Sequence, residues 1–258
     1  MRFCCLGSGS GGNAYVVEHT NTTLLVDCGF SLTDLKKRLA ARFLSLSEIT
    51  AVIISHEHGD HVKCLNFLLK ETVKPVYMTA GTAQAISFNG NWTRLQAGTI
   101  TSIGDLQLLP VTVPHDAAEP VQFVFDNGSQ RLGLFTDLGH VTTAVRNACH
   151  NLHALIVEYN YAADLLAANH RYPQRTKARI AGRLGHLENS ATAELISQIQ
   201  HPQLKHVVAA HLSAHNNTKT RVIQSLSAVA NGIATHIADQ QEGVGWLNII
   251  NRPYHPLT

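Results

Sequence analysis

The six residues from His56 to His61, in the stretch SHEHGDH, carry three histidines and an aspartate that can bind metal or move protons: His56, His58, Asp60 and His61. Two histidines at i and i+2 on a turn can point at one ion, and the Asp60–His61 pair, displaced by the turn, can point at a second. Imidazoles with one carboxylate form a borderline donor set that suits zinc or a similar divalent ion. The H-E-x-x-H helix of zincins is excluded, because no histidine stands at i+4 from His56 and Gly59 follows close on Glu57.

Four donors cannot complete two sites. Further candidates stand at the ends of short apolar runs: LLVD ends at Asp27, PVTVPH at His115, GLFTD at Asp137, ALIVE at Glu158 and VVAAH at His211. His115, after the rigid Pro114, can complete a three-histidine site with His56 and His58. His211 can join Asp60 and His61, and Asp137, with two oxygens, can bridge the ions. Asp27 can accept the second N–H of a metal-bound histidine and fix its tautomer; alternatively, it is a turn residue before Gly29.

Runs rich in Val, Ile and Leu are the pattern of buried strands, and each of these ends in a polar residue, as expected of loops leaving a rigid sheet. Helical segments alternate with them: 32–42, opened by Ser31 and Asp34, then 62–69, 141–149, 191–200 and 218–229. Two packed sheets with helices outside fit this order. The hairpin signal at Asn127 and Gly128 splits the chain into strand-rich halves of similar size, so one domain over residues 1–258, with halves meeting near 127, is expected. The sequence holds sixteen histidines, but its five cysteines are odd in number and lack C-x-x-C spacing, so neither a disulfide framework nor a zinc knuckle is indicated and buried thiols are expected. A formal charge of +2 neither demands nor excludes nucleic acid. With no signal-like or membrane-spanning stretch, a cytoplasmic protein without a membrane partner is expected.

The set Asp27, HEHGDH, His115, Asp137 and His211, in this order, resembles the metallo-β-lactamase fold superfamily, and the resemblance covers essentially the whole chain. It implies a four-layer αββα sandwich with a two-metal site at one edge of the sheets. GSGSGGNAY, DCGFS, PHDAAEPVQFVF, TDLG, VEYN, LGHLENSATAEL and AHLSAHNNT narrow it to the YycJ/WalJ type, related to PhnP cyclic phosphodiesterases and RNase Z. That type implies a bacterial phosphodiesterase with DNA exonuclease activity, here expected to run 5′ to 3′. In one place the chain departs: the type reads Asn-His-Asp after the Glu158 strand, and here stand Asn160, Tyr161 and Ala162. Asp137, where true zinc β-lactamases offer a thiolate, favours a bridged hydrolytic pair. His58 in place of Glu argues against the di-iron oxidoreductases, whereas glyoxalase II-like thioesterases share every ligand.

GHLENSA, around His186, is what those thioesterases are not expected to share. By itself His186 can be a helix-start residue, a metal ligand or a proton donor. In the resembled families a histidine in this setting faces the metals, and a phosphodiester needs a proton for its departing alkoxide, so His186 is expected to be the general acid. From Leu165 to Leu187 there is no Asp or Glu, while Arg171, Arg175, Lys177, Arg179 and Arg183 all occur; this is a solvated helix face or a grip on a phosphate backbone. Substrate-binding candidates are Arg175, Arg179 and Arg183, with Asn160, Asn13, and Ser8 and Ser10, whose Gly-rich loop can offer backbone N–H groups to a phosphate. The expected cofactors are two divalent ions, zinc by default, with manganese or iron able to use the same ligands. Between them a hydroxide, oriented by Asp60, attacks phosphorus in line. DNA or a small cyclic phosphodiester is the expected substrate. A regulatory or DNA-binding scaffold is the non-enzyme alternative and predicts binding insensitive to chelators.

Overall fold

The apolar runs become strands of two seven-stranded sheets in the computed structural model, which describes residues 1–249. The expected domain extends to residue 258, so its last nine positions lie outside the described residues. The first sheet holds β1 (Arg2–Gly7), β2 (Ala14–His19), β3 (Thr22–Val26), β4 (Ala51–Ile53), β5 (Val76–Met78) and β6 (Thr93–Arg94). The second holds β7 (Thr101–Ile103), β8 (Leu106–Thr112), β9 (Val121–Asp126), β10 (Arg131–Phe135), β11 (Ala154–Glu158), β12 (His206–Ala210) and β13 (Ala234–Ile237). Finally β14 (Val244–Asn248) returns to pair with β1.

Side-chain alternation assigns each layer. In β3, Leu24 and Val26 enter the core between the sheets while Leu25 packs outward; in β11, Ala154 and Ile156 face inward while Leu155 and Val157 face outward. Helices cover both outer faces, so these strands are apolar on both sides, as the continuous runs require. On the first sheet lie α1 (Leu32–Ala40), α2 (Gly59–Val62), α3 (Leu65–Glu71) and α4 (Ala80–Ala85). The second half contributes α5 (Thr143–Ala148), α6 (Ala163–Ala168), α7 (Gln174–Ile180), α8 (Asn189–Ile199) and α9 (Lys219–Val229). Ser31 caps α1 by accepting from the Asp34 N–H at 3.2 Å, and Leu35 and Leu39 bury its inner face. The result is the expected αββα sandwich.

Two details of the expected layout are corrected. The Asn127–Gly128 turn joins β9 to β10 within the second sheet, so the chain changes sheet between β6 and β7, earlier than the turn. A two-residue turn signal reports a local hairpin, not sheet membership. The helix expected over 62–69 is two pieces, because the Cys64 N–H is taken by the Cys28 carbonyl at 3.1 Å instead of a helical partner. That bond ties the turn carrying Asp60 and His61 to the end of β3.

Within each sheet antiparallel pairing gives way to parallel at β3 and at β10. Consequently β3, β4, β10, β11 and β12 all run toward one edge, and the residues after them can meet there. All five cysteines are buried and unpaired. Burial pushes the Cys4 and Cys149 thiols up to about 12, which keeps them protonated and inert at neutral pH. Among the described residues no helix is long and apolar enough to cross a membrane.

Candidate metal centre

At the shared edge the strand ends bring seven donors together. His56, His58 and His115 form one cluster, with ring centroids 4.6 to 5.0 Å apart. Asp60, His61 and His211 form a second, in which the Asp60 Oδ2 lies 3.6 Å from the Nε2 atoms of both His61 and His211. Asp137 reaches both clusters: its Oδ2 is 3.3 Å from His61 Nε2, and its Oδ1 is 3.5 Å from His211 Nε2 and 3.8 Å from His115 Nε2.

The rest of the fold fixes which nitrogen of each ring faces inward. His61 Nδ1 bonds Asp27 at 2.7 Å, His115 Nδ1 bonds the Gly185 carbonyl at 3.1 Å, His56 Nδ1 meets the Ser55 hydroxyl at 3.0 Å, and His211 Nδ1 bonds Glu158 at 2.9 Å. His58 is reversed, with Nε2 on the Asp116 carbonyl at 3.2 Å and Nδ1 turned toward His115. Orientation by a second hydrogen bond is how metal-binding imidazoles are held. Asp27 also takes the Ser55 N–H at 2.9 Å.

Three buried atoms in this space lack a hydrogen-bond partner among the described residues: His56 Nε2, His211 Nε2 and Asp137 Oδ2. Orphaned buried polar atoms are costly, and convergence of three from separate strands fits a divalent cation bound among them. Electrostatics agree. Burial opposes charge on His61, but Asp137 and Asp27 outweigh it and raise its pKa to about 10; His211 is driven the same way by Asp137, Asp60 and Glu158. Despite burial, His211 and His61 hold Asp137 well below the usual carboxylate range. Protons thus balance the carboxylates where bound cations would replace them.

The geometry also carries strain. Asp27, Asp137 and His211 adopt φ of 60°, 57° and 54°, a left-handed conformation that costs about 1–3 kcal/mol for such residues unless the surroundings enforce it. Gly29 is constrained differently: a Cβ there would stand 1.7 Å from the Asp60 carbonyl oxygen. We predict that Gly29→Ala lowers stability by about 2 kcal/mol, as overpacking does, and displaces the Asp60–His61 turn. Thermal melting and metal analysis check this; unchanged metal content would mean that the turn tolerates the shift.

His186 stands beside the second cluster, 19% exposed, with Nδ1 bonded to Glu158 Oε1 at 2.8 Å. Asp137, Glu158, His186 and His211 also lie close enough to share an ion, but the Nδ1 atoms of both histidines are already bonded to Glu158. Glu158 is fully buried and, through its other oxygen, accepts the Leu138 and Leu187 N–H groups at 2.8 and 3.1 Å. Burial opposes its ionisation, yet His186 and His211 lower its pKa. Sequence reasoning marked this strand end without giving it a role. A carboxylate closing an otherwise apolar buried strand was the available signal, because such a charge must find partners.

Several expected substrate contacts are corrected. Ser8 is buried, donating to Asn13 Oδ1 at 2.9 Å and accepting the His211 N–H at 2.9 Å. Asn13 reaches Asp60 Oδ2 at 3.3 Å, and Asn160 donates to the His211 carbonyl at 2.9 Å. All three brace Asp60, His61 and His211 from within. The loop N–H groups are also committed: Gly9 to Asn13, Gly12 to Gly9, and Gly11 to the Gln240 side chain at 2.7 Å. Ser10 is exposed at the tip. Arg175 and Arg183 are exposed on the basic stretch, Arg183 lying 3.4 Å from His140, while Arg179 bonds Asp116 at 2.7 Å beside His58 and His115.

The family model described as "Beta-lactamase superfamily domain" matches residues 22–212. Exodeoxyribonuclease YycJ of Bacillus anthracis is 32% identical over 235 residues, covering 89% of both chains. Exodeoxyribonuclease WalJ of Streptococcus pneumoniae is 28% identical over 85% of this chain and 84% of its own. Among solved structures, the metallo-beta-lactamase fold protein YhfI from Bacillus subtilis shares the fold with a TM-score of 0.74 at 17% identity, covering 95% of this chain and 98% of that one.

Proposed function

Because the chain belongs to the β-lactamase superfamily, we propose that it is a two-metal phosphodiesterase acting in the cytoplasm as a DNA exonuclease that works from 5′ to 3′. The convergence of the unpartnered His56 Nε2, His211 Nε2 and Asp137 Oδ2 carries the reading, and the exodeoxyribonucleases that match over most of the chain support the substrate class.

In this reading His56, His58 and His115 hold one ion, Asp60, His61 and His211 the other, and Asp137 both; zinc is the default and manganese or iron fit the same donors. Divalent ions bound there supply Lewis acidity toward a phosphoryl oxygen and toward water. The chain's own groups do the rest. Asp60, partly exposed beside both histidines, orients the attacking water. Glu158 keeps His186 in the tautomer with Nδ1–H toward the carboxylate, and this leaves Nε2 to give a proton to the departing oxygen after the ring has been charged. Burial disfavours that charged ring, but Glu158 outweighs it and raises the His186 pKa, as a proton donor needs.

The basic stretch is assigned to the DNA backbone. Replacing Arg175 and Arg179 together with alanine is predicted to weaken DNA binding and reduce the slope of log K against log salt by about 2, near 0.9 per lost phosphate contact, while turnover of a small phosphodiester is nearly unchanged. Equal losses on both substrates would assign these residues to the fold, since Arg179 braces Asp116.

The proposal is tested with metal-loaded protein on duplex DNA labelled at either the 5′ or the 3′ end, beside a small cyclic phosphodiester. Early release of labelled mononucleotide from the 5′ end alone is expected. Turnover confined to the cyclic compound would replace the nuclease reading with that of a small-molecule phosphodiesterase.

A further inference from the structure

Beyond His186, a cavity of about 300 Å³ opens between the loop after β10 and helix α8, with His140 of its lining bonded through Nδ1 to the Arg183 carbonyl at 3.0 Å. This is the lower end of the roughly 300–1,000 Å³ that small-molecule ligands occupy, enough for one nucleotide and too little for a continuing strand. Its lining has the division of a ligand site. Val141, Leu187 and Leu195 supply apolar surface beside Tyr161. Arg146, Gln198 and Glu194 supply polar groups: Arg146 Nε donates to Gln198 at 2.9 Å, and Gln198 donates to Glu194 at 3.0 Å. Arg146 makes no ion pair among the described residues. The proton donor is itself part of the wall, so whatever the leaving oxygen carries must lie in or beside this space.

We propose that this cavity binds the nucleotide being released, with its base against Tyr161 and its 3′-oxygen at His186, and that it thereby sets the direction of digestion. The inference rests on the phosphodiesterase reading above. Water attacks the phosphorus between the first and second nucleotides, a P–O bond forms, the bond from phosphorus to the first 3′-oxygen breaks, and His186 gives that oxygen its proton. The remaining strand keeps a 5′-phosphate. When digestion starts at the 5′ end, the departing group is one nucleotide and fits. From the 3′ end, the same bond cleavage makes the whole remaining strand the leaving group, which the cavity cannot hold.

Two measurements test the cavity separately from the chemistry. The first compares duplexes whose 5′-terminal residue carries adenine or lacks a base. Wild-type protein should release the abasic residue at least about 10-fold more slowly, the effect of losing one stacked base. Ala191→Phe, which fills the cavity from α8, should slow adenine release and abolish the difference. The second follows saturation transfer to 2′-deoxyadenosine 5′-monophosphate by NMR with metal-free protein. Contact at the base protons is expected for wild type and should be lost in Ala191→Phe. Equal release of both ends by wild type, or nucleotide contact unaltered in Ala191→Phe, overturns the proposal. If wild type hydrolyses no phosphodiester, the function reading falls, and the NMR contact still decides whether the cavity takes a nucleotide.

Discussion

Asp137→Ala is expected to lose both ions and to lower phosphodiester hydrolysis by at least about 10³-fold. Among the described residues, Asp137 is the one carboxylate within 4 Å of donors in both clusters, His61 and His211 on one side and His115 on the other. Without it, the imidazoles face one another with no anion between them, and repulsion between two cations is uncompensated. The lost Lewis-acid stabilisation is several kcal/mol, at about 1.4 kcal/mol per factor of ten in rate. Misfolding is separated from ligand loss by Asp137→Asn, because asparagine tolerates the left-handed φ of 57°. That variant should melt as a folded protein with sharply reduced metal content. Two ions retained per chain in either variant would refute the bridging role.

For His186→Ala the expected loss is smaller and depends on the leaving group. Hydrolysis of DNA should fall by about 10²- to 10⁴-fold, the range of general-acid catalysis, with both ions kept. A nitrophenolate departs with little help, so bis(nitrophenyl) phosphate should be far less affected than an alkyl diester. The bond from His186 Nδ1 to Glu158 makes the acid role specific, since Glu158 also holds His211 and four donors share its two oxygens. Loss of metal would mark His186 as a ligand. A normal rate on DNA with a lowered melting temperature would mark it as a residue of the helix start, and equal losses on both esters would assign it to phosphate positioning.

The residues gathered at this edge were legible in the sequence because His115, Asp137 and His211 each close an apolar run and His56, His58, Asp60 and His61 crowd the turn after another such run. His56, His115, Asp137 and His211 come together by parallel strand direction, which the alternation of strands and helices already implied. What the pattern could not distinguish was contact with substrate from support of a donor. Ser8, Asn13 and Asn160 are small polar residues beside the centre, and all three are consumed in bracing His211, Asp60 and His61. The Gly-rich loop misled for the same reason: the Gly11 N–H is taken by Gln240, far along the chain, and those of Gly9 and Gly12 by Asn13 and Gly9. Glu158 and Asp116 depend on long-range partners that no local motif records. Sheet membership was equally hidden: pairing of β14 with β1 is set by packing across the whole chain.

Metal-dependent hydrolysis is the central claim, and stoichiometric metal titration tests it most directly. Protein stripped by chelation is given zinc or manganese in fractional equivalents, and nucleotide release from 5′-labelled duplex DNA is followed beside metal content. Activity should be absent from the stripped protein, rise with occupancy and level off at two ions per chain. Undiminished hydrolysis by metal-free protein, or no hydrolysis of any phosphodiester with two ions bound, would contradict it.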